Sequence, residues 1–195
     1  MTAHATDPRP VRRVSAVKSS SASSQDDFDS VVVEAPLSIS VDGEILATTM
    51  RTPGHDEDLA VGWLASETDL AARTDVTAIR REGAAASRAE GIEEAVDTVH
   101  LDVTTSVEIP KARAYLTSSS CGICSAEVIE ATPKPRLALH SVGWQLTPQE
   151  AHAWVAAMRK EQKMFELTGS LHAAAIIAPG GSLRVVREDV GRHNA

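Results

Sequence analysis

The chain has 195 residues, of which 43 % are hydrophobic and 24 % are charged, as in ordinary soluble globular proteins. Its formal net charge of −8 argues against nonspecific nucleic-acid binding, which requires Lys and Arg to displace counterions from the phosphates. The apolar runs, such as residues 173–178, are too short to cross a bilayer, and no apolar signal segment follows the N-terminal arginines. We therefore expect a cytoplasmic protein that binds neither membranes nor nucleic acid.

Residues 1–28 are rich in Ser, Thr, Ala and charged side chains, and residues 19–24 read Ser-Ser-Ser-Ala-Ser-Ser. A segment of this kind buries too little apolar surface to offset the conformational entropy that it loses on ordering. The composition therefore predicts a disordered tail over residues 1–28, with order beginning near Val31.

Residues 37–41 alternate apolar and polar side chains, which is typical of a strand with one buried face. The Asp42-Gly43 pair that follows favours a tight turn, so residues 45–50 are expected to return as the second strand of a hairpin. Apolar and β-branched residues predict two further strands, at 76–80 and 96–103.

Two segments carry the start signals of helices. Three consecutive carboxylates at residues 56–58 favour the positive end of a helix dipole and predict a helix over residues 55–66. Thr147-Pro148-Gln149-Glu150 is a capping box with proline at the first helical position. It predicts a second helix that runs to about Gln162.

The last part of the chain reads as a hairpin. An apolar run at 171–178 follows a glycine turn, and the turn residues 179–182 lead into a shorter apolar stretch at 183–186. Because helices are mixed with hairpins along the chain, an α+β fold is favoured over a doubly wound parallel sheet.

Cys121 and Cys124 are the two cysteines of the chain, separated by Gly122 and Ile123. The spacing brings the two thiols close together, and the glycine lets the loop turn tightly. A structural disulfide is not expected in the cytoplasm, and a four-cysteine zinc site cannot be built within this chain because it has no other cysteine. Redox or sulfur chemistry is therefore favoured ahead of a metal site, with two buried structural thiols as the remaining alternative.

A zinc-dependent deaminase-type hydrolase is a second hypothesis. His55 and Glu57 form an H-x-E motif, and the later cysteine pair completes the pattern of the zinc deaminases. His55, Cys121 and Cys124 would then bind zinc, and Glu57 would transfer protons. Against this hypothesis, Ser120 stands where the deaminase pattern has proline, and the separation of the two motifs is large. The simpler interpretation of His55 and Glu57 is a turn followed by the first turn of a helix.

Residues 187–194 form a dense polar segment, in which six of eight side chains are polar and can contact a polar ligand. Its carboxylates can accept hydrogen bonds from a guanine edge, and Arg192 can pair with phosphate. The competing interpretation is a hairpin end followed by a capped helix with solvated charges. His172, at the start of the preceding apolar run, is a candidate general base, although histidines in such positions are more often hydrogen-bonded in the core.

Five segments with distinctive residues follow one another along residues 31–195. They are Glu34-Ala35-Pro36-Leu37, residues 51–60, residues 119–124, Phe165 with residues 168–174, and residues 187–195. In this order the segments resemble the signature blocks of the formate dehydrogenase accessory sulfurtransferase family, known as FdhD.

The resemblance implies a sulfurtransferase that takes a persulfide from a cysteine desulfurase. The sulfur would be delivered to the molybdenum bis(molybdopterin guanine dinucleotide) cofactor of formate dehydrogenase, with Cys121 as the persulfide carrier and Cys124 assisting the transfer or resolving the persulfide. A non-catalytic chaperone that binds the same cofactor is a third hypothesis. The residues that would line the guanine dinucleotide pocket are His172, Asp189, Arg192, His193 and Asn194.

The resemblance also implies a domain organisation. A smaller β-rich lobe over residues 29–110, with one helix, would lie beside a main domain with the cytidine-deaminase fold over residues 111–195, in a homodimer without a tightly bound metal. Ser125 and Ser170 stand where the family usually has glycine. The family continues beyond the block that ends at Ala195, so the main domain is expected to be incomplete at its C-terminus.

Overall fold

A five-stranded mixed sheet with a helix against one face forms the centre of the structure. The computed structural model describes residues 10–20, 23–68, 70, 72–84, 96–109, 116–117 and 145–195. Its strands are β1 Val11–Ser19, β2 Ser24–Val32, β3 Ala35–Val41, β4 Glu44–Arg51, β5 Val76–Glu82, β6 Asp97–Val103, β7 Leu116–Thr117, β8 His172–Ile177 and β9 Leu183–Asp189. Its helices are α1 Asp56–Glu67, α2 Pro148–Glu161 and α3 Lys163–Thr168, and a single 3₁₀ turn covers Arg73–Asp75.

The central sheet has the strand order β5-β6-β3-β4-β7. Its β3–β4 and β5–β6 pairs are antiparallel, whereas β6 and β7 run parallel to β3 and β4, respectively. The predicted hairpin at Asp42-Gly43 is confirmed, and Gly43 adopts the positive φ of 88° that its turn requires. The sheet contains strands from both sides of the predicted domain boundary at residue 110, because β7 follows that residue and the other four strands precede it. The division into two domains at residue 110 stays a prediction.

The core lies between the sheet and α1. Leu37, Ile39 and Val41 on β3 pack with Val99 and Leu101 on β6 and with two residues of the helix, Ala60 and Leu64. The alternating serines of β3 are buried as well, so both faces of this strand are covered. Ser38 bonds across to Thr48 over 3.0 Å, whereas the Ser40 hydroxyl has no hydrogen-bond partner in the part of the chain that the structure describes. The sequence pattern predicts only the apolar face of this strand.

The capping box predicted at Thr147 is confirmed. The Thr147 hydroxyl accepts from the Glu150 N–H over 3.2 Å, and the Glu150 carboxylate accepts from the Thr147 N–H over 2.9 Å. The Thr147 N–H and the Thr147 hydroxyl both donate to the Glu150 carboxylate, and these two bonds lower the pKa of the Glu150 carboxyl. The helix ends at Glu161, close to the predicted residue, because its start and its length are encoded locally.

The helix α3 lies where the sequence predicts no element. Glu188, on β9, accepts from the backbone N–H groups of Met164 and Phe165 over 3.0 and 2.8 Å. The carboxylate of a residue on β9 therefore caps the N-terminus of this short helix, where the backbone N–H groups have no partner within the helix. Gly169, with a φ of 68°, ends it in the left-handed conformation that favours glycine.

Residues 11–19 and 24–28 form strands, whereas the sequence predicts that they belong to a disordered tail over residues 1–28. Strands β1 and β2 pair over their whole lengths as an antiparallel ribbon, and β2 lies against α3. Cross-strand side-chain contacts support the pairing: Arg13 stacks 4.2 Å from the centre of the Phe28 ring, and Lys18 lies 2.7 Å from Asp27. The average composition of a segment carries no information on which side chains meet across two strands. A prediction from composition therefore gives disorder for the residues of this ribbon.

The last predicted hairpin is confirmed as the antiparallel pair β8–β9. It forms a separate two-stranded sheet, and α2 lies against it. Of the helices in the described ranges, none combines the length and apolar character that a membrane span requires.

Candidate functional site

Asp189, the last residue of β9, is buried with 5 % of its surface exposed. One of its carboxylate oxygens, Oδ2, accepts from the backbone N–H of Thr52 over 2.8 Å. The other, Oδ1, accepts from the Gly191 N–H over 2.6 Å and from the Asn194 side-chain amide over 3.1 Å. Burial raises the pKa of Asp189 above its ordinary value, and the hydrogen bonds from Gly191, Thr52 and Asn194 act in the opposite direction.

Residues 191–194 form a tight turn directly after Asp189. The backbone N–H of Asn194 donates to the Gly191 carbonyl over 3.0 Å, which closes the turn. The Asn194 side-chain amide also donates to the Met50 carbonyl over 2.8 Å, so the end of the turn is tied to β4. Arg192 and His193, between the two tied ends, are both exposed.

Five residues are predicted from sequence to line a cofactor pocket, and the structure brings them to one end of the β8–β9 hairpin. His172 is the partner of Asp189 in the register of the two strands. Its side chain is exposed rather than hydrogen-bonded in a core, because β8 alternates exposed and half-buried residues. The turn residues Arg192 and His193 are exposed as well, whereas Asp189 and Asn194 direct polar atoms at the protein itself.

A buried ion network lies beneath this turn, centred on Arg51. The Arg51 side chain has none of its surface exposed, and its guanidinium makes two parallel bonds to Asp56, of 3.0 and 2.9 Å. It also bonds to Asp97 over 2.8 Å and to the carbonyl groups of Ala35 and Pro36. The network therefore fixes the end of β4 against the start of α1 and the start of β6.

The pKa values of the network follow from its contacts. Burial by itself would lower the pKa of Arg51, but the bonds to Asp56 and Asp97 raise it overall. Burial would raise the pKa of Asp97, but the Ala84 N–H, 2.9 Å away, and the Arg51 and Arg81 guanidinium groups lower it overall. Arg51 and Asp97 are therefore charged near neutral pH, and the ion pairs of the network hold the three elements together.

Sequence reasoning places Arg51 and Asp56 in one signature segment and Asp97 in a predicted strand, and it does not connect the three residues. Arg51 and Asp56 are five residues apart, and an arginine just before a predicted helix N-terminus is a local signal that could have indicated the pair. Asp97 lies 46 residues beyond Arg51 and carries no such signal. Thr52, which bonds to residues near the C-terminus, was missed for the same reason.

The residues of the zinc hypothesis lie at the N-terminus of α1. His55 precedes the helix without a side-chain capping bond, 3.8 Å from Asp58, and Glu57 is exposed. Asp58 accepts two bonds from Arg187 on β9, of 2.8 and 2.6 Å. Within the described ranges, no three His, Cys, Asp or Glu side chains are grouped to bind a metal. Cys121 and Cys124 lie outside the described residues, so the zinc site and the thiol loop both stay predictions.

The chain is similar to known proteins over most of its length. The model of the FdhD/NarQ family matches residues 32–195. A sulfur carrier protein FdhD of Mycolicibacterium paratuberculosis is 40 % identical over 181 residues, which cover 86 % of this chain and 62 % of the relative. That of Streptomyces coelicolor is 38 % identical over 170 residues, which cover 86 % of this chain and 60 % of the relative. The chain thus spans less than two thirds of the length of these relatives.

One solved structure shares the fold. It is the crystal structure of a putative formate dehydrogenase accessory protein from Desulfotalea psychrophila, with a TM-score of 0.68 at 17 % identity, and the match covers 95 % of this chain and 65 % of that one. The mixed α and β architecture, with mostly strands and few helices, is therefore shared with that solved structure. With the family model matching residues 32–195, the chain belongs to the FdhD/NarQ family.

Proposed function

We propose that the chain carries sulfur as a persulfide on Cys121. The observation that carries the proposal is the match to the FdhD/NarQ family over residues 32–195, a segment that contains both cysteines of the chain. The relatives named above are sulfur carrier proteins, and a carrier needs a thiolate that can attack a donor persulfide. On this proposal the protein acts as a sulfurtransferase in the cytoplasm.

The proposed transfer consists of two successive thiolate attacks on S–S bonds. The Cys121 thiolate attacks the outer sulfur of a persulfide on a cysteine desulfurase, so that a new S–S bond forms at Cys121 and the desulfurase cysteine leaves as a thiolate. The Cys124 thiolate then attacks the Cys121 sulfur, which releases the outer sulfur as sulfide and leaves a Cys121–Cys124 disulfide. A cellular dithiol must reduce this disulfide before the next cycle. Cys124 is therefore the resolving residue of the proposal.

We propose that the sulfur reaches the molybdenum bis(molybdopterin guanine dinucleotide) cofactor of a formate dehydrogenase, which is the substrate in this scheme. The exposed Arg192 and His193 support the proposal, because a guanidinium pairs well with the phosphates of a dinucleotide. His172 lies beside the same end of the hairpin. The cytidine-deaminase fold for residues 111–195 and the homodimer also belong to this proposal.

The first experiment tests the persulfide. The chain is incubated with a cysteine desulfurase and cysteine, and intact and peptide masses are measured without reductant. We expect one added sulfur atom at Cys121, none in Cys121→Ala, and the adduct retained in Cys124→Ala, whose single change is matched in size. If the folded wild-type chain gains no sulfur, the carrier function is wrong.

A second experiment separates the sulfur carrier from the two other hypotheses. A chaperone that only binds the cofactor should still support formate dehydrogenase maturation when both cysteines are replaced by alanine, whereas a sulfur carrier should not. Maturation by the double alanine variant would favour the chaperone over the carrier.

A zinc hydrolase should hold one zinc ion per chain and lose it in His55→Ala, with Glu57→Ala as the variant that retains the metal.

A further inference from the structure

Thr52 joins the end of β4 to the C-terminal turn with two hydrogen bonds. Its backbone N–H donates to Asp189 Oδ2 over 2.8 Å, and its hydroxyl oxygen accepts from the Val190 N–H over 3.0 Å. These partners lie 137 and 138 residues along the chain, and Thr52 is 5 % exposed. One buried residue therefore fixes both the last residue of β9 and the first residue beyond it.

The far end of the turn is fixed to the same strand. The Asn194 amide uses one proton for the Met50 carbonyl and one for Asp189 Oδ1. The side chain of Asn194 also leaves no room at Gly191, where an added Cβ would lie 2.8 Å from the amide nitrogen. We name these contacts of Thr52, Asp189, Val190, Asn194 and Met50 the turn junction.

The turn junction divides the polar residues of this segment into two groups. Both oxygens of Asp189 and the side-chain NH₂ group of Asn194 bond to the protein, so these atoms are directed inward. Arg192 and His193 lie between the fixed ends and are exposed. Their side chains make no hydrogen bond or ion pair with the part of the chain that the structure describes. Buried groups that are fully bonded serve to hold a backbone, whereas exposed donors on a fixed backbone can meet a ligand.

We propose that Thr52 and Asp189 are positioning residues that hold Arg192 and His193 in place for the phosphate and guanine groups of a guanine nucleotide. The proposal rests on the proposed function, since it takes the guanine dinucleotide part of the cofactor as the ligand of this turn. It assigns a role to Thr52, which the signature segments do not distinguish from its neighbours. It also moves Asp189 and Asn194 from contact with the ligand to support of the residues that contact it.

The test removes either the hydroxyl group or the methyl group of the Thr52 side chain. Thr52→Val keeps the size and branching of the side chain but removes the oxygen that accepts from Val190, whereas Thr52→Ser keeps that oxygen and removes a methyl group. GDP binding is measured by isothermal titration calorimetry, and the exchange rate of the Val190 amide hydrogen is measured by NMR or mass spectrometry. Circular dichroism confirms that each variant is folded at the temperature used.

We expect slow Val190 exchange in the wild type and in Thr52→Ser, and faster exchange in Thr52→Val. The loss of one hydrogen bond that orders the turn should weaken GDP binding in Thr52→Val by about five- to tenfold, with Thr52→Ser within about twofold of the wild type. Arg192→Ala should weaken GDP binding at least as much and leave Val190 exchange unchanged, because this residue lies outside the turn junction.

The outcomes distinguish the inference from the proposed function. Rapid Val190 exchange in the wild type, or equal exchange in the two Thr52 variants, would contradict the turn junction itself, whichever variants fold. Faster exchange in Thr52→Val with unchanged GDP affinity would contradict the positioning role alone. A wild-type chain that binds no GDP would contradict the guanine ligand of the proposed function and the positioning role together, and Val190 exchange would still show whether the junction exists.

Discussion

Replacing Arg51 by methionine tests whether the ion network under the turn holds the fold together. Arg51 is wholly buried, and its loss removes its ion pairs with Asp56 and Asp97 and its hydrogen bonds to two backbone carbonyls. Removing one partner of a buried ion pair costs about 3–5 kcal/mol, because the remaining charge is desolvated without compensation. Methionine fills most of the space of the arginine stem, so little of the cost comes from a cavity.

Two features of the network place the expected cost near the lower end of that range. Arg81 still reaches Asp56 over 3.0 Å, so this carboxylate keeps one positively charged partner, and the Gly54 N–H also bonds to it over 3.4 Å. The side chain of Asp97 is 18 % exposed, so water can partly solvate it once Arg51 is gone. We therefore expect the free energy of unfolding to fall by about 3–4 kcal/mol in Arg51→Met.

A second arginine on the same sheet supplies the control. Arg80, on β5, bonds to Asp102 over 3.1 Å, but the two side chains are 66 % and 38 % exposed. Exposed ion pairs contribute about 0–1 kcal/mol, so Arg80→Met should change the stability little. Urea unfolding followed by circular dichroism at pH 7 measures both variants. If the two variants lose the same free energy to within about 1 kcal/mol, the buried network does not stabilise the fold as argued.

Two further substitutions test the turn and the charge of the network. In Gly191→Ala the new methyl group would lie 2.8 Å from the Asn194 amide nitrogen and should displace that side chain, so urea unfolding should show a loss of about 1–3 kcal/mol. Gly62→Ala, on an open face of α1, is the matched control and should gain about 0.5–1 kcal/mol; equal effects of the two methyl groups would contradict the close packing of the turn. The pKa of Asp97 lies below its ordinary value of 3.8 in the fold, so its charge stabilises the protein above about pH 4, and this contribution is lost as the pH falls through the folded-state pKa. Asp97→Asn should therefore have a lower free energy of unfolding than the wild type at pH 7, and this difference should become smaller below pH 4. Urea unfolding curves at several pH values measure the difference. A difference that does not change with pH would show that the charge of Asp97 does not stabilise the fold.

Most secondary structure follows from signals that lie within a few residues of each other. The alternation of residues 37–41, the Asp42-Gly43 turn and the capping box at Thr147 all predict elements that the structure contains at nearly the same bounds. Each signal is local, because a strand exposes alternate side chains and a capping box joins residues three apart. The sequence therefore predicts the turn of the first hairpin and the starts of the two longer helices, α1 and α2.

The elements that sequence reasoning missed depend on distant partners. The helix α3 is capped by Glu188, which lies 23 residues beyond Phe165, and nothing within the helix predicts this partner. The ribbon of β1 and β2 is supported by pairs such as Arg13 with Phe28, which become neighbours only when the strands align. Tertiary contacts therefore decide these elements, and composition and propensity do not.

The same distinction separates the two kinds of residues in the signature segments. Residues 51–58 and 187–194 both look like ligand-binding loops in the sequence because polar residues are dense in them, yet many of these side chains bind one another. Asp58 pairs with Arg187, and Thr52 bonds to Asp189 and Val190. The density of polar residues therefore marks the place where two segments meet.

Loss of ligand binding after a substitution in either segment has two different meanings. A change at Thr52 or Asp189 can act through the backbone of the turn, whereas a change at Arg192 or His193 removes an exposed group and leaves the turn junction in place. Affinity alone cannot distinguish these cases, because both variants bind more weakly. The exchange rate of the Val190 amide can, since its hydrogen bond to Thr52 is lost when the Thr52 hydroxyl is removed, weakened when loss of Asp189 loosens the turn, and kept when Arg192 or His193 is replaced. Assigning a contact residue in this family therefore requires both measurements on the same variant.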